Sequence, residues 1–225
     1  MPAHPAPDTP LYRHRLVAPG YDLLNALLWL PSGSDRLRRR FVASLGIGAG
    51  DRVLEVGCGT GLVTRHLSAT GAEVTALDGA PAMIAAARRR SPTAHFVTGD
   101  ALAVPLDGPF DRVVLAFVLH ELDPARRVSL LERCAALLAP SGRIAILDWA
   151  RPPGAVRGRA WAATVHAIEP TVAHDVLDGG IDRAIETAAL IITDDRCDAG
   201  GRARSTHCAP LRPAPEGPHQ TPRRL

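Results

Sequence analysis

The chain has 225 residues, enough for one substantial domain with its own core. Hydrophobic residues make up 46% and charged residues 22%, the balance of an ordinary soluble globular protein. A formal net charge of +3 is too small to argue for a nucleic-acid partner, and aromatics at 4% leave the core to Ala, Leu, Val and Ile.

Residues 1–20 are rich in proline and polar side chains, which predicts a poorly ordered start without the apolar core of a signal peptide. "YDLLNALLWL" (21–30) is short and apolar and suits a helix lying on something; Pro31 and Gly33 break it. Ser34 is placed to cap a second helix, "DRLRRRFVASLG", in which Leu37, Phe41 and Leu45 recur at helical spacing. From Arg52 the pattern alternates. Strands are expected at "RVLEV" (52–56), "EVTALD" (73–78), "AHFVTGD" (94–100), "FDRVVLAFVL" (110–119) and "GRIAILDW" (142–149). Helices are expected after Gly61, over "APAMIAAARRR" and over "PARRVSLLERCAALLA" (124–139). Near-continuous apolar strands alternating with helices predict an α/β fold, with a doubly wound, mostly parallel sheet and helices on both faces. Beyond Ala150, "AWAATVHAIEP" and "DGGIDRAIETAAL" read as helices and "IITDDR" (191–196) as a strand. "GRARSTHCAP" is a weak strand at best, and 209–225 reads as a Pro-rich disordered tail.

Lysine is absent, so the non-histidine basic side chains are all arginine. The clusters Arg36, Arg38, Arg39, Arg40 and Arg88, Arg89, Arg90 read as solvated helix faces or ends, since no stacking aromatics interleave with them. Cys58, Cys134, Cys197 and Cys208 form no CxxC and have no histidine at metal spacing, so no metal is expected and a reducing compartment is. No apolar run reaches membrane-spanning length, and the expected location is the cytoplasm.

The informative stretch is "VLEVGCGTGLVTRHL" (53–67): a short apolar run, then Gly57, Gly59 and Gly61, then an amphipathic pattern. In an open α/β sheet, ligands collect beyond the carboxyl ends of the strands, where glycine permits close approach. The rhythm is GxGxG, with Leu62 where a GxGxxG dinucleotide fingerprint would have its last glycine, and no GxxxxGK[ST] phosphate loop exists. Asp78 ends the second expected strand, where a carboxylate can accept hydrogen bonds from both hydroxyls of a ribose; Asp100 ends the third, within "TGDA". Turn or capping roles remain open for both aspartates.

"VLEVGCGTG", "VTALDGAPAMIAAAR", "HFVTGDALAVPLDGPFDRVVLAFVLHEL" and "LLAPSGRIAILDWARP" resemble the successive motifs of class I S-adenosylmethionine-dependent methyltransferases. The likeness covers roughly Tyr21 to Trp149 and continues more weakly to about Arg204, so the methyltransferase domain is expected over 21–208. Within that superfamily, "YDLLN" and "LDWARP" resemble the quinone-biosynthesis C-methyltransferases. The resemblance implies S-adenosylmethionine as cofactor, with Glu55, Gly57, Gly59 and Gly61 around its methionine end. It gives Asp78 the ribose diol, sets Ala80 and Met83 beside the adenosine, and Asp100 with Ala101 at the adenine edge; Ala116 becomes a pocket wall. It also implies a closing antiparallel strand pair, of which "STHCAPLRPAP" promises only a short or atypical edge.

Methyl transfer needs an acceptor aligned in a dry pocket, and a base only where the acceptor arrives protonated. Candidates are His120 and Glu121 at the end of the fourth strand, and His166 and Glu169 in a segment (151–180) able to cover the acceptor. Tyr21 is a candidate to close over the cofactor. The expected acceptor is a small, partly apolar molecule. Two rivals stay open: a nicotinamide-dependent oxidoreductase, and a protein that binds the cofactor without turnover.

Overall fold

The computed structural model of the chain describes residues 33–168 and 171–211. The Pro-rich start, the apolar segment 21–30 with Tyr21, Glu169 and the tail beyond 211 lie outside the described residues. Five parallel strands come first: β1 (Arg52–Val56), β2 (Glu73–Asp78), β3 (His95–Thr98), β4 (Phe110–Ala116) and β5 (Leu138–Trp149). Helix α1 (Ser34–Ser44) precedes them, and α2 (Thr64–Ser68), α3 (Pro81–Arg90) and α4 (Pro124–Ala136) connect them. After β5 come α5 (Ala155–Ile168), a 3-10 segment (Thr171–Asp178), α6 (Gly180–Thr187), β6 (Leu190–Asp198) and β7 (Ala203–Pro210). The sheet order is β3-β2-β1-β4-β5-β7-β6, with β7 antiparallel to both neighbours.

This is the doubly wound sheet that the alternation of apolar runs predicts. Val53, Leu54, Val113, Val114, Leu115, Ile144 and Leu147 are all fully buried, as strands covered on both faces must be. Order reverses between β1 and β4, neighbours whose outgoing connections diverge to opposite sides. A crevice for ligands opens there, beyond their carboxyl ends. No described helix is long and apolar enough to cross a membrane.

Four expectations need correction. The C-terminal edge is complete: β7 pairs with β5 from Ile144↔Cys208 to Trp149↔Ala203 and with β6 on its other side, so Ala209 and Pro210, expected in the disordered tail, are strand residues opposite Ile191 and Leu190. Its small residues Ala203, Ser205, Cys208 and Ala209 carry little strand propensity, yet they are buried, because two flanking strands outweigh local preference. The helix expected over 124–139 ends at Ala136, and Leu138 already pairs with Phe110 in the sheet. Ser34 is the first helical residue of α1 rather than its cap; Gly33 takes the cap position and no side chain bonds there. Arg36, Arg39 and Arg40 are exposed, but Arg38 turns inward, 4% exposed, with its guanidinium 5.4 Å from the ring centre of Phe117.

Candidate active site

The glycine loop leaves β1 with Gly57 and Cys58 donating their N–H groups to the Leu77 carbonyl at 2.7 and 2.9 Å, which ties it to β2. All three glycines have positive φ, at 70°, 52° and 83°, where side chains are strained. They serve different ends. A Cβ on Gly57 would sit 2.4 Å from Val118 in the turn after β4, and one on Gly61 would sit 2.9 Å from the Ala87 backbone of α3. A Cβ on Gly59 would meet nothing within 4 Å, so the middle glycine faces open space.

Asp78 holds this loop from the tip of β2. Its Oδ2 accepts from the Gly59 N–H and its Oδ1 from the Ala80 N–H, both at 2.8 Å. Burial raises its carboxyl above the usual aspartate range, and the two N–H groups oppose that shift. Ala80 starts α3, where Met83 packs beside it. The Gly99 N–H donates to the Asp78 carbonyl at 3.1 Å, which brings the β3 end alongside. Asp100 follows; its Oδ1 accepts from the Leu102 N–H at 2.9 Å and its Oδ2 from Arg126 Nη2 at 3.1 Å. Ala101 and Ala116 are half-buried against the main core, Ala116 at the last position of β4.

Glu55, one residue from the end of β1, is 1% exposed. Burial pushes its carboxyl up to about 8, partly offset by Thr64; Asp78 pushes the same way and Arg38 opposes. Its Oε2 has no hydrogen-bond partner among the described residues. A buried carboxyl oxygen left over beside the glycine loop is a place for a hydrogen-bond donor of a ligand.

The opposite wall follows β4. Phe117 adopts φ 59°, unusual for a side chain of this size, and donates its N–H to the Leu147 carbonyl at 2.7 Å. The chain then makes a 3-10 turn, Leu119–Glu121, that turns His120 inward, 3% exposed. His120 Nδ1 lies 2.7 Å from Asp148 Oδ1. Asp148, 1% exposed near the end of β5, also accepts from the N–H groups of Leu119, His120 and Trp149 at 3.1, 3.4 and 2.8 Å. Donation from Nδ1 to a carboxylate makes Nε2 the basic nitrogen of the imidazole. Phe117 and Trp149 flank the His120 ring, with centres 6.5 and 5.9 Å away, and Trp161 packs on Trp149 at 5.7 Å. Arg127, wholly buried, braces the turn from below: it donates to the carbonyls of Leu119 and Leu122 and forms two 3.0 Å bonds to Asp175.

The structure therefore groups Glu55, the glycine loop, Asp78, Ala80 and Asp100 at the carboxyl ends of β1, β2 and β3, with His120 in the turn after β4. It does not draw in every sequence candidate. Glu121 is exposed on its turn, and His166 is exposed on α5, where its ring stacks on His174 with 4.0 Å between centres. Tyr21 and Glu169 lie outside the described residues. Asp148, Arg127 and Asp175 were not anticipated. An aspartate inside the apolar run "AILDW" was the available signal, because a charge buried in a strand needs a partner. The four cysteines are free thiols, and no three His, Cys, Asp or Glu side chains among the described residues could hold a metal.

Residues 53–142 match the model of the methyltransferase domain family. A demethylmenaquinone methyltransferase of Thermus thermophilus is 38% identical over 163 residues, 68% of this chain and 72% of that protein. The chain belongs to the S-adenosylmethionine-dependent methyltransferases. A demethylmenaquinone methyltransferase of Beutenbergia cavernae is 39% identical over 141 residues, 62% of this chain; the match spans only 57% of that relative's length. The fold superposes on magnesium protoporphyrin IX methyltransferase of Synechocystis, which holds S-adenosylhomocysteine, with a TM-score of 0.68 at 18% identity. That match covers 90% of this chain and 100% of the other. One residue from the end of β1, Glu55 offers a buried carboxyl oxygen with no hydrogen-bond partner among the described residues, a place for a ligand's donor group.

Glu55 makes a measurable prediction. Its raised carboxyl, at about 8, is mostly protonated at pH 7. A cation bound beside it favours the ionised form, so binding should release up to ~0.9 proton at pH 7. Calorimetry of S-adenosylmethionine binding in buffers of different ionisation enthalpy reads that proton. Glu55→Gln should abolish the release; a release that persists in the variant would place the titrating group elsewhere.

Proposed function

We propose that this protein transfers the methyl group of S-adenosylmethionine to a small, partly apolar acceptor, with His120 as the base. The observation that carries the reading is the buried Glu55 carboxyl, one oxygen of which has no partner among the described residues, beside a glycine loop that Asp78 holds. The GxGxG spacing, with Leu62 where a dinucleotide fingerprint needs glycine, weighs against a nicotinamide dinucleotide. Bound there, S-adenosylmethionine supplies a methyl carbon on a sulfonium, open to in-line displacement. Glu55 faces the amino-acid end, Asp78 accepts the ribose hydroxyls through its remaining lone pairs, and Asp100 takes the adenine amino group. Phe117, Trp149 and Trp161 exclude water from the acceptor side. His120, held by Asp148, accepts the acceptor's proton at Nε2 as the new bond forms.

The relatives' names support a finer reading, a demethylmenaquinone-like acceptor. The apolar segments 21–30 and "AWAATVHAI" are compatible with such a molecule. The test has two stages. S-adenosylmethionine and S-adenosylhomocysteine should bind saturably in calorimetry, and NAD and NADP should not; saturable NAD binding without a response to S-adenosylhomocysteine overturns the proposal. Labelled methyl groups should then appear in an acceptor from a panel that includes demethylmenaquinone. Cofactor binding with no transfer across the panel would leave a protein that binds without turnover.

A further inference from the structure

Helix α4 begins with two consecutive arginines, Arg126 and Arg127, in its first turn, where the helix dipole favours acids. Each therefore calls for a local anion. Arg127 has Asp175. Arg126 has Asp100, through Nη2 at 3.1 Å, with the two side chains 23% and 29% exposed. The backbone N–H of Arg126 is already taken by the capping carboxylate of Asp123 at 3.0 Å, so its guanidinium is committed separately from the cap.

Two turns further along α4, Arg133 reaches the same loop by a different route. Its Nη1 and Nη2 donate to the carbonyls of Leu102 and Val104 at 3.0 and 2.5 Å. The N–H groups of Ala103 and Val104 fold back onto the Asp100 carbonyl at 2.9 Å each. The backbone of the loop after β3 is thus secured without Arg126. What Arg126 adds is confined to the Asp100 side chain: with the Leu102 N–H on Oδ1 and the guanidinium on Oδ2, the carboxylate plane cannot turn. Each oxygen keeps a second lone pair, and that plane decides where those lone pairs point.

We infer that Arg126 is a positioning residue for purine selection: it orients Asp100 to accept from a 6-amino group and to reject a 6-oxo group. The inference rests on the proposed S-adenosylmethionine site. An amino group at the purine 6-position donates to the oriented carboxylate, whereas an oxo group there sets lone pairs against lone pairs.

The experiment is calorimetry of the full chain with S-adenosylhomocysteine and its 6-oxo counterpart, S-inosylhomocysteine. The wild type should prefer the amino ligand. Arg126→Ala should weaken the amino ligand about tenfold, as expected for loss of a well-aligned charged hydrogen bond, and change the oxo ligand less than about twofold. Arg126→Lys should recover part of the preference. Arg133→Ala, which loosens the loop backbone, should weaken both ligands alike. Added to Asp100→Asn, Arg126→Ala should cause no further loss. Equal weakening of both ligands by Arg126→Ala, or no change in either, overturns the inference while leaving the cofactor assignment intact. A wild type that fails to bind S-adenosylhomocysteine overturns the assignment itself.

Discussion

His120→Asn should lower single-turnover methyl transfer by about 10²–10⁴-fold at saturating cofactor, the range a positioned general base contributes. Asparagine is chosen because its amide can still donate to Asp148, which otherwise would be left as a buried carboxylate short of one partner. Cofactor affinity should stay within about twofold, since the imidazole is held by Asp148, away from the residues assigned to the nucleoside. Asp148→Asn is the companion. It removes the acceptor that fixes Nδ1 as the protonated nitrogen, so transfer should fall while cofactor binding holds. Asp148 also accepts three backbone N–H groups, so the folded state of this variant must be checked by circular dichroism before turnover is read. Wild-type turnover in a folded His120→Asn protein would move the role to Glu121, His166 or Glu169, or show that the acceptor needs no base.

Asp78→Ala should weaken S-adenosylhomocysteine binding by at least about a hundredfold. Hydrogen bonds to a charged group contribute ~1.5–3 kcal/mol each, and roughly 1.4 kcal/mol is tenfold in affinity. The substitution removes any bonds to the ribose and also frees the N–H groups of Gly59 and Ala80. Loss of both anchors lets the glycine loop leave the geometry that keeps the space above Gly59 open. The fold should survive, because Asp78 is at the tip of β2, where its side chain bonds the glycine loop and the start of the next helix. Asp78→Asn separates the two contributions, since its single amide oxygen cannot serve both anchors. Calorimetry decides: unchanged affinity in a folded Asp78→Ala protein would show that the carboxylate neither meets the ribose nor holds the loop.

Much of this architecture was readable because it follows from neighbours along the chain. Runs such as "RVLEV" and "GRIAILDW" are too apolar for a sheet with a solvated face, and helical periods between them require a parallel, doubly covered sheet. Three glycines in five residues after the first strand, followed by aspartates at the next two strand ends, marked the crevice for the same local reason. The resemblance supplied the ligand, and the family assignment agrees with it. β7 was not legible, because Ala203, Ser205 and Cys208 become strand residues only between β5 and β6. Arg38 was not legible either: the cluster around it is solvated, and the fold alone brings one of its four arginines inward over the Phe117 ring.

The sheet, the loop and the order of the acidic strand ends follow from local pattern, since each is written in residues a few positions apart. What those residues do to one another depends on the packed fold. Asp148 meets His120 across 28 positions, and Arg126 meets Asp100 across 26. The fold also decides that Glu55, otherwise an ordinary strand carboxylate, is stripped of water and left with an oxygen unpaired among the described residues. The physical reason is that periodicity records which face a side chain takes, whereas pairing and desolvation depend on which strand ends the crossovers bring side by side.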